Sequence, residues 1–234
     1  MDDRVLIYRG ADQPDMSVIN PESDVWQHIK TPLAYMATNW PMRHATISSD
    51  GRLVAVAGRR GLIHYSTASG RWKLFNDPAV EQSFIVRGGM IWFHHVLIVG
   101  VEASRTFQVK FSYSNRGHEA NYRQVRLYSR DLDLTLQNVL HTEVFPSAVV
   151  LLSLVDNSLL VYTADNSLYH FLVIPTADTI KLHMCGSISF EGVVAAPGLV
   201  RCMSWMIPSS HKSKSHHIAP SLAKLIARFW QSGG

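Results

Sequence analysis

Short apolar runs, broken at close intervals by Gly, Asp, Asn and Ser, dominate this sequence. The pattern is clearest over Arg43–Phe75, RHATISSDGRLVAVAGRRGLIHYSTASGRWKLF, which reads as four strands joined by turns. Arg43–Ser48 is the first strand, and Ser48-Ser49-Asp50-Gly51 is a tight turn, because Asp bonds its own backbone and Gly tolerates positive φ. Leu53–Ala57 is almost uninterruptedly apolar, as expected for an inner strand covered on both faces. Gly58–Gly61 turns the chain, Leu62–Ser66 is the third strand, Thr67–Gly70 turns again, and Arg71–Phe75 alternates like a half-exposed outer strand. This is the grammar of one antiparallel propeller blade.

Two further stretches repeat it. The second unit starts at Arg87-Gly88-Gly89 and runs through Met90–His94, Val96–Val101, Gln124–Arg130 and Val139–Phe145. Its third strand has two candidates, Phe107–Phe111 and Arg123–Tyr128, and the polar residues between them are read as an insertion leaving the blade as a long loop. The third unit holds an echo, Asp156–Tyr162 followed by Asp165–Phe171, with Asp-Asn-Ser supplying the turn chemistry twice. Its strands are Val149–Val155, Leu159–Thr163 and Leu168–Ile174, completed by Ile180–Met184 and Ser187–Phe190, with Val200–Ile207 opening another. Val5–Tyr8 and Val25–Ile29 look like the remains of a preceding blade.

The expected fold is therefore all-β, an incomplete β-propeller of about three four-stranded blades, whereas closed propellers have about 4 to 8. Residues 1–42 are the blade remnant and connector, and 43–208 the partial propeller with the insertion at 111–123. Residues 209–234 form a polar linker and a short amphipathic helix, Ser221–Trp230, with Leu222, Leu225, Ile226 and Phe229 on one face. That helix either binds a membrane surface or partner, or packs marginally on the fragment.

Composition narrows the function. With 47% hydrophobic and 17% charged residues the 234-residue chain is globular, and no apolar run is long enough to cross a bilayer as a helix. The start lacks a signal-peptide pattern, so the cytosol is the expected compartment. Cys185 and Cys202 are far from CxxC spacing and read as two reduced thiols. A net charge of +4 raises nucleic-acid binding, but Arg43, Arg52, Arg59, Arg60, Arg71 and Arg87 are scattered over turns and strand ends, which argues against it. His94 and His95 adjoin within the expected strand and point to opposite faces, one inside and one outside, so they cannot converge on a metal. His211, His216 and His217 lie in the polar tail without a carboxylate or Cys nearby. Glu81, Glu102 and Glu119 read as solvated residues in or beside turns, without the paired carboxylate that acid–base chemistry needs. No phosphate loop, dinucleotide fingerprint or nucleophile elbow occurs. Gly58-Arg59-Arg60-Gly61 reads as a hairpin turn with solvated arginines, with anion capture as the other reading. Trp40, Trp72, Trp92 and Trp205 are expected to fill the wedges between blades. No catalytic residue, cofactor site or metal site is assigned.

Four phrases, RHATISSDGRLVAVAGRRGLIHYSTASGRWKLF, EQSFIVRGGMIWFHHVLIVGVE, VRLYSRDLDL and SLLVYTADNSLYHFLV, together resemble the N-terminal, WD-like propeller region of the Ric-type ribosome control proteins. The resemblance runs from Trp40 to Pro208 and is interrupted over Phe111–Arg123. A blade-closing Trp-Asp pair is missing, Trp72-Lys73 standing in its place, as in a divergent propeller. The resemblance implies the large subunit of the Ric/Rgp guanine nucleotide exchange complex. Such a protein is cytosolic, is recruited peripherally to Golgi membranes, and with its smaller partner subunit promotes GDP release from a Rab-type GTPase in retrograde endosome-to-Golgi transport. It further implies a non-enzymatic scaffold without cofactor or nucleic acid, and a chain that is a fragment of the whole subunit. The insertion and the tail from Ser209 fall outside the resemblance and are expected to be gene-model additions. The other reading is a propeller adaptor of coat or tethering assemblies without exchange activity.

Overall fold

The computed structural model describes residues 3–9, 25–103, 122–176 and 179–203. These fall in two compact units, Met1–Pro41 and Met42–Gly234. In the first, β1 (Arg4–Tyr8) pairs antiparallel with β2 (Trp26–Lys30), placing Arg4 opposite Lys30 and Tyr8 opposite Trp26. The rings of Tyr8 and Trp26 sit 5.2 Å apart, a cross-strand aromatic pair that pins this register. A short helix, α1 (Leu33–Asn39), follows Pro32.

The second unit contains three four-stranded antiparallel meanders. The first comprises β3 (His44–Ile47), β4 (Leu53–Ala57), β5 (Ile63–Ser66) and β6 (Arg71–Lys73). The second comprises β7 (Phe84–Phe93), β8 (Val96–Ala103), β9 (Tyr122–Ser129) and β10 (Val139–Phe145). The third comprises β11 (Val149–Val155), β12 (Ser158–Thr163), β13 (Ser167–Pro175) and β14 (Ile180–Ser189). Each sheet is ordered as the chain runs, and the leading strands neighbour one another, β3 beside β7 and β7 beside β11. This is the stacking of consecutive blades in an incomplete β-propeller.

Two apolar seams hold the blades together. Along β8 the side chains alternate between them: Leu97, Val99 and Val101 join the core shared with the first blade, and Val96 and Ile98 the core shared with the third. All five residues of β4 are buried, as its unbroken apolar run requires. The second seam is tightest where β7 meets β11. A Cβ on Gly88 would come within 2.3 Å of Val149 Cγ1, so only glycine fits there.

Several elements differ from expectation. The second blade opens at Phe84, not at the Gly88-Gly89 pair. Those glycines form a bulge inside β7, with a register shift between Val86 and Met90 and φ of 82° at Gly89. Its third strand is β9, while the other candidate, Phe107–Phe111, lies outside the described residues, as does most of the insertion. The outer strand of the third blade is continuous, because the Cys185–Gly186 region is absorbed as a bulge opposite His170 and Phe171 rather than breaking the strand. Of the expected strand Val200–Ile207, Val200–Met203 is not a strand and the rest lies outside the described residues. The stretch Phe190–Met203 instead turns back, through a 3-10 turn at Pro197–Leu199, so that Val194, Val200 and Met203 cover Leu160, Tyr162 and Leu168 of the third blade. A second short helix, α2 (Pro78–Gln82), starts where Asp77 accepts the Ala79 amide at 2.8 Å.

Candidate functional site

At one end of the seam between the first and second blades, four connections converge: the β3–β4 turn, the β5–β6 turn, the β7–β8 turn and the loop leaving β9. Ser48 shapes the first of these. Its hydroxyl donates to the Asp50 carboxylate and accepts the Leu53 amide at 2.9 Å, while Asp50 also accepts the Arg52 amide at 3.1 Å. These bonds favour the carboxylate form and hold Asp50 below its ordinary pKa. The β7–β8 turn is His94-His95, with Phe93 opposite Val96 and φ of 50° at His94.

Cross-strand pairing fixes the wall on the first blade. His64 lies opposite Lys73 and Ser66 opposite Arg71, so these side chains share one face of the β5–β6 pair. The facing wall is the loop after β9. The Lys73 ammonium donates to three of its carbonyls, those of Arg130 at 2.8 Å, Asp131 at 3.0 Å and Leu132 at 3.1 Å. That arrangement ties the blades together and fixes a positive charge with no carboxylate bound to it. Arg130 donates its backbone amide to His95 at 2.9 Å, and its Nε lies 3.0 Å from Asp131 Oδ1. The Arg71 guanidinium is exposed.

His64 is 3% exposed, its ring edge-on to Trp92 at 6.0 Å. Burial, reinforced by the charges of Lys73 and Arg130, pushes its pKa down to about 4, so the imidazole is neutral at physiological pH. His64 Nε2, Ser66 Oγ and Trp92 Nε1 are buried without hydrogen-bond partners. Two cavities of about 320 and 270 Å³ open along this seam, and Arg130 lines both. The result is a groove whose positive charge gathers in the outer cavity, at Arg71, Lys73 and Arg130, while Asp50 offsets Arg130 in the inner one, an arrangement suited to binding rather than bond-making.

The residues weighed in the sequence are distributed differently from expectation. His94 and His95 do not alternate inside a strand; both are exposed, because they form the turn itself. Glu81 is buried in α2 rather than solvated. Glu102 lies in β8 and pairs with Arg87 at 3.1 Å. In the Gly58–Gly61 turn, Arg60 donates to the Gln82 carbonyl at 3.0 Å and Gly61 to the Phe84 carbonyl at 3.0 Å, so the turn clamps the next blade. Of the three described members of the tryptophan set, Trp92 is wedge core, Trp72 is half-buried and Trp40 is exposed, since the last two sit beyond or at the edge of a sheet. Glu119, Trp205, His211, His216, His217 and the tail helix lie outside the described residues. Among the described residues no group of three or more His, Cys, Asp or Glu is placed to hold a metal, and Cys185 and Cys202 are free and exposed. Sequence reasoning missed His64, Lys73 and Arg130. The alternation of His64 with Ser66, and of Arg71 with Lys73, was the available signal.

The family model and the curated relatives identify the family of this chain. The family model described as the RIC1 second beta propeller domain matches residues 1–228, a range that runs through both the insertion and most of the tail. The chain is 31% identical over 187 residues to the guanine nucleotide exchange factor subunit ric1 of Schizosaccharomyces pombe, covering 79% of this chain and 16% of that protein. It is 26% identical over 179 residues to the guanine nucleotide exchange factor subunit RIC1 of Homo sapiens, covering 75% of this chain and 12% of that one. It thus spans less than one fifth of the length of these curated relatives. Among solved structures, dipeptidyl peptidase 4 of Porphyromonas gingivalis aligns at a TM-score of 0.39 and 15% identity, over 60% of this chain and 25% of that one. Three stacked blades in the expected order, and a family match over nearly the full length, give one conclusion: the chain belongs to the RIC1 family, in the region of its second β-propeller domain.

Proposed function

We propose that this chain is a propeller segment of a guanine nucleotide exchange factor subunit and serves that complex as a protein-interaction scaffold, not as an enzyme. It works with a smaller subunit on a Rab-type GTPase, in the cytoplasm and peripherally at Golgi membranes, in retrograde transport from endosomes. The observation that carries this reading is the 31% identity, over 79% of the chain, to a protein named as an exchange factor subunit. The groove supports it in kind, offering donors and fixed charge for recognition. Exchange needs no catalytic side chain: a factor that binds the nucleotide-free GTPase more tightly than the loaded one drives nucleotide release by that coupling free energy.

The test is a pull-down of the chain, co-expressed with the smaller subunit, against Rab GTPases held nucleotide-free or loaded with GTP. Preferential retention of the nucleotide-free form is expected. Retention that ignores the nucleotide state would make the chain an adaptor of coat or tethering assemblies instead.

A further inference from the structure

The groove between the first two blades has a charge and a shape that specify its occupant more narrowly. We infer that it is a docking site for an extended acidic peptide segment of a partner protein, with carboxylates seated against Arg130 and Arg71. The inference concerns a binding site and stands whether or not the partner is a GTPase.

Charge is the first ground. Lys73, Arg71 and Arg130 face Asp131 as the sole carboxylate of the outer cavity. Lys73 is committed to backbone carbonyls, which leave its charge unneutralised, and among the described residues Arg71 has no side chain as hydrogen-bond or ion-pair partner. Arg130 uses Nε for Asp131, in an exposed pair of adjacent residues that an incoming carboxylate can replace. Guanidinium groups favour carboxylates because two parallel N–H donors match two oxygens.

Polar atoms beneath the seam are the second ground. His64 Nε2, Ser66 Oγ and Trp92 Nε1 are buried here with no hydrogen-bond partner among the described residues, so a small side-chain adjustment on binding would give each a partner. His64 and Ser66 line the outer cavity, and Trp92 the inner one.

Shape is the third. The two cavities share Arg130 and run from the outer strand β6 to the β3–β4 turn. A single small anion would fill one of them. An extended chain follows both, its carboxylates in the outer cavity at Arg71 and Arg130 and a neutral stretch passing the Asp50 carboxylate in the inner one.

The test uses the full chain and short fluorescein-labelled peptides of alternating Glu and Ser, with Gln-for-Glu and Lys-for-Glu counterparts, read by fluorescence polarisation. The acidic peptide is expected to bind, both counterparts to fail, and binding to weaken as salt rises. Arg130→Gln and Arg71→Gln should each weaken binding about tenfold. Arg59→Gln, in a turn at the other end of the blade, should not. Arg71 is exposed and bonds no side chain among the described residues, so Arg71→Gln keeps its fold and the test stands even if Arg130→Gln does not fold, which thermal unfolding will report. The inference is overturned if the Gln peptide binds as well as the Glu peptide, if the Glu peptide does not bind, or if Arg71→Gln leaves affinity unchanged. Displacement of the peptide by inorganic phosphate at equal concentration overturns it too, in favour of a small-anion pocket.

Discussion

His64 carries its ring into the seam between two blades as a neutral group, and this couples folding to pH. Its pKa falls from 6.5 to about 4 on folding, chiefly through burial, so between those values the unfolded chain binds the extra proton. Stability from this residue is therefore full above about pH 6.5 and lost progressively towards pH 4, on the order of 3 kcal/mol in all. His44 and His170 are lowered in the same direction, again mainly by burial, and add to the trend. His64→Phe, which keeps an aromatic edge against Trp92, should flatten much of the fall in urea midpoint between about pH 7 and pH 4.5. Equal slopes in the two proteins would show that His64 does not report on folding. Gly61 makes a second residue-scale case. It holds φ of 61°, and a Cβ there would lie 2.9 Å from the Glu81 carbonyl oxygen, so Gly61→Ala should cost about 2 kcal/mol or more. Neither feature was legible in sequence. A histidine inside Ile63-His64-Tyr65 reveals its alternation, but not which neighbouring sheet its face will meet.

Strands were the most legible elements, because each is bounded by residues with turn chemistry. Asp156, which heads the first half of the sequence echo, and Asn166, the second residue of the other half, do take positive φ, at 53° and 62°. The three blades follow from these punctuation marks. The misreadings occurred where local chemistry had two outcomes. Gly88-Gly89 reads as the sharp entry to the blade but bulges within β7, with Gly88 packed on Val149 and Gly89 at positive φ; Cys185-Gly186 reads as a break but bulges within β14. The short helices α1 and α2 were missed, being too brief to show helical periodicity. The close approach at Gly88 gives a clean test of blade stacking. Gly88→Ala should destabilise by about 2–3 kcal/mol, and Val149→Ala, which removes the Cγ1 atom it strikes, should restore part of that loss in a double-mutant cycle of chemical denaturation. Purely additive effects would mean that β7 and β11 do not touch there. Lys73→Met keeps the aliphatic stem but abandons three carbonyls, and should cost about 1–2 kcal/mol.

For the propeller as a whole, the second blade is the shared partner of both seams, and the alternation along β8 makes that separable by mutation. Leu97 and Ile98 are fully buried neighbours that face opposite blades. Leu97→Ala and Ile98→Ala should each lower stability by about 2–5 kcal/mol. Because both seams run through one sheet, each variant should still unfold in a single transition by tryptophan fluorescence and far-ultraviolet circular dichroism; two separated steps would indicate blades that melt independently. The fold of Phe190–Met203 across the third blade acts at this scale as well. It is fastened by the Phe190 amide to the Asn166 carbonyl at 2.8 Å and by Asn166 Nδ2 to the Val194 carbonyl at 2.9 Å. A ring of blades grows by laying each new sheet on the bare flank of the last, and here that flank is already occupied by the chain's own return stroke. A further blade docking on this side would first have to displace that strip, a competition between two ways of shielding Leu160, Tyr162 and Leu168 from water. Val194→Asp, which loosens the strip without touching either seam, should reveal that contest as stronger binding of an apolar dye and faster proteolysis near Gly192.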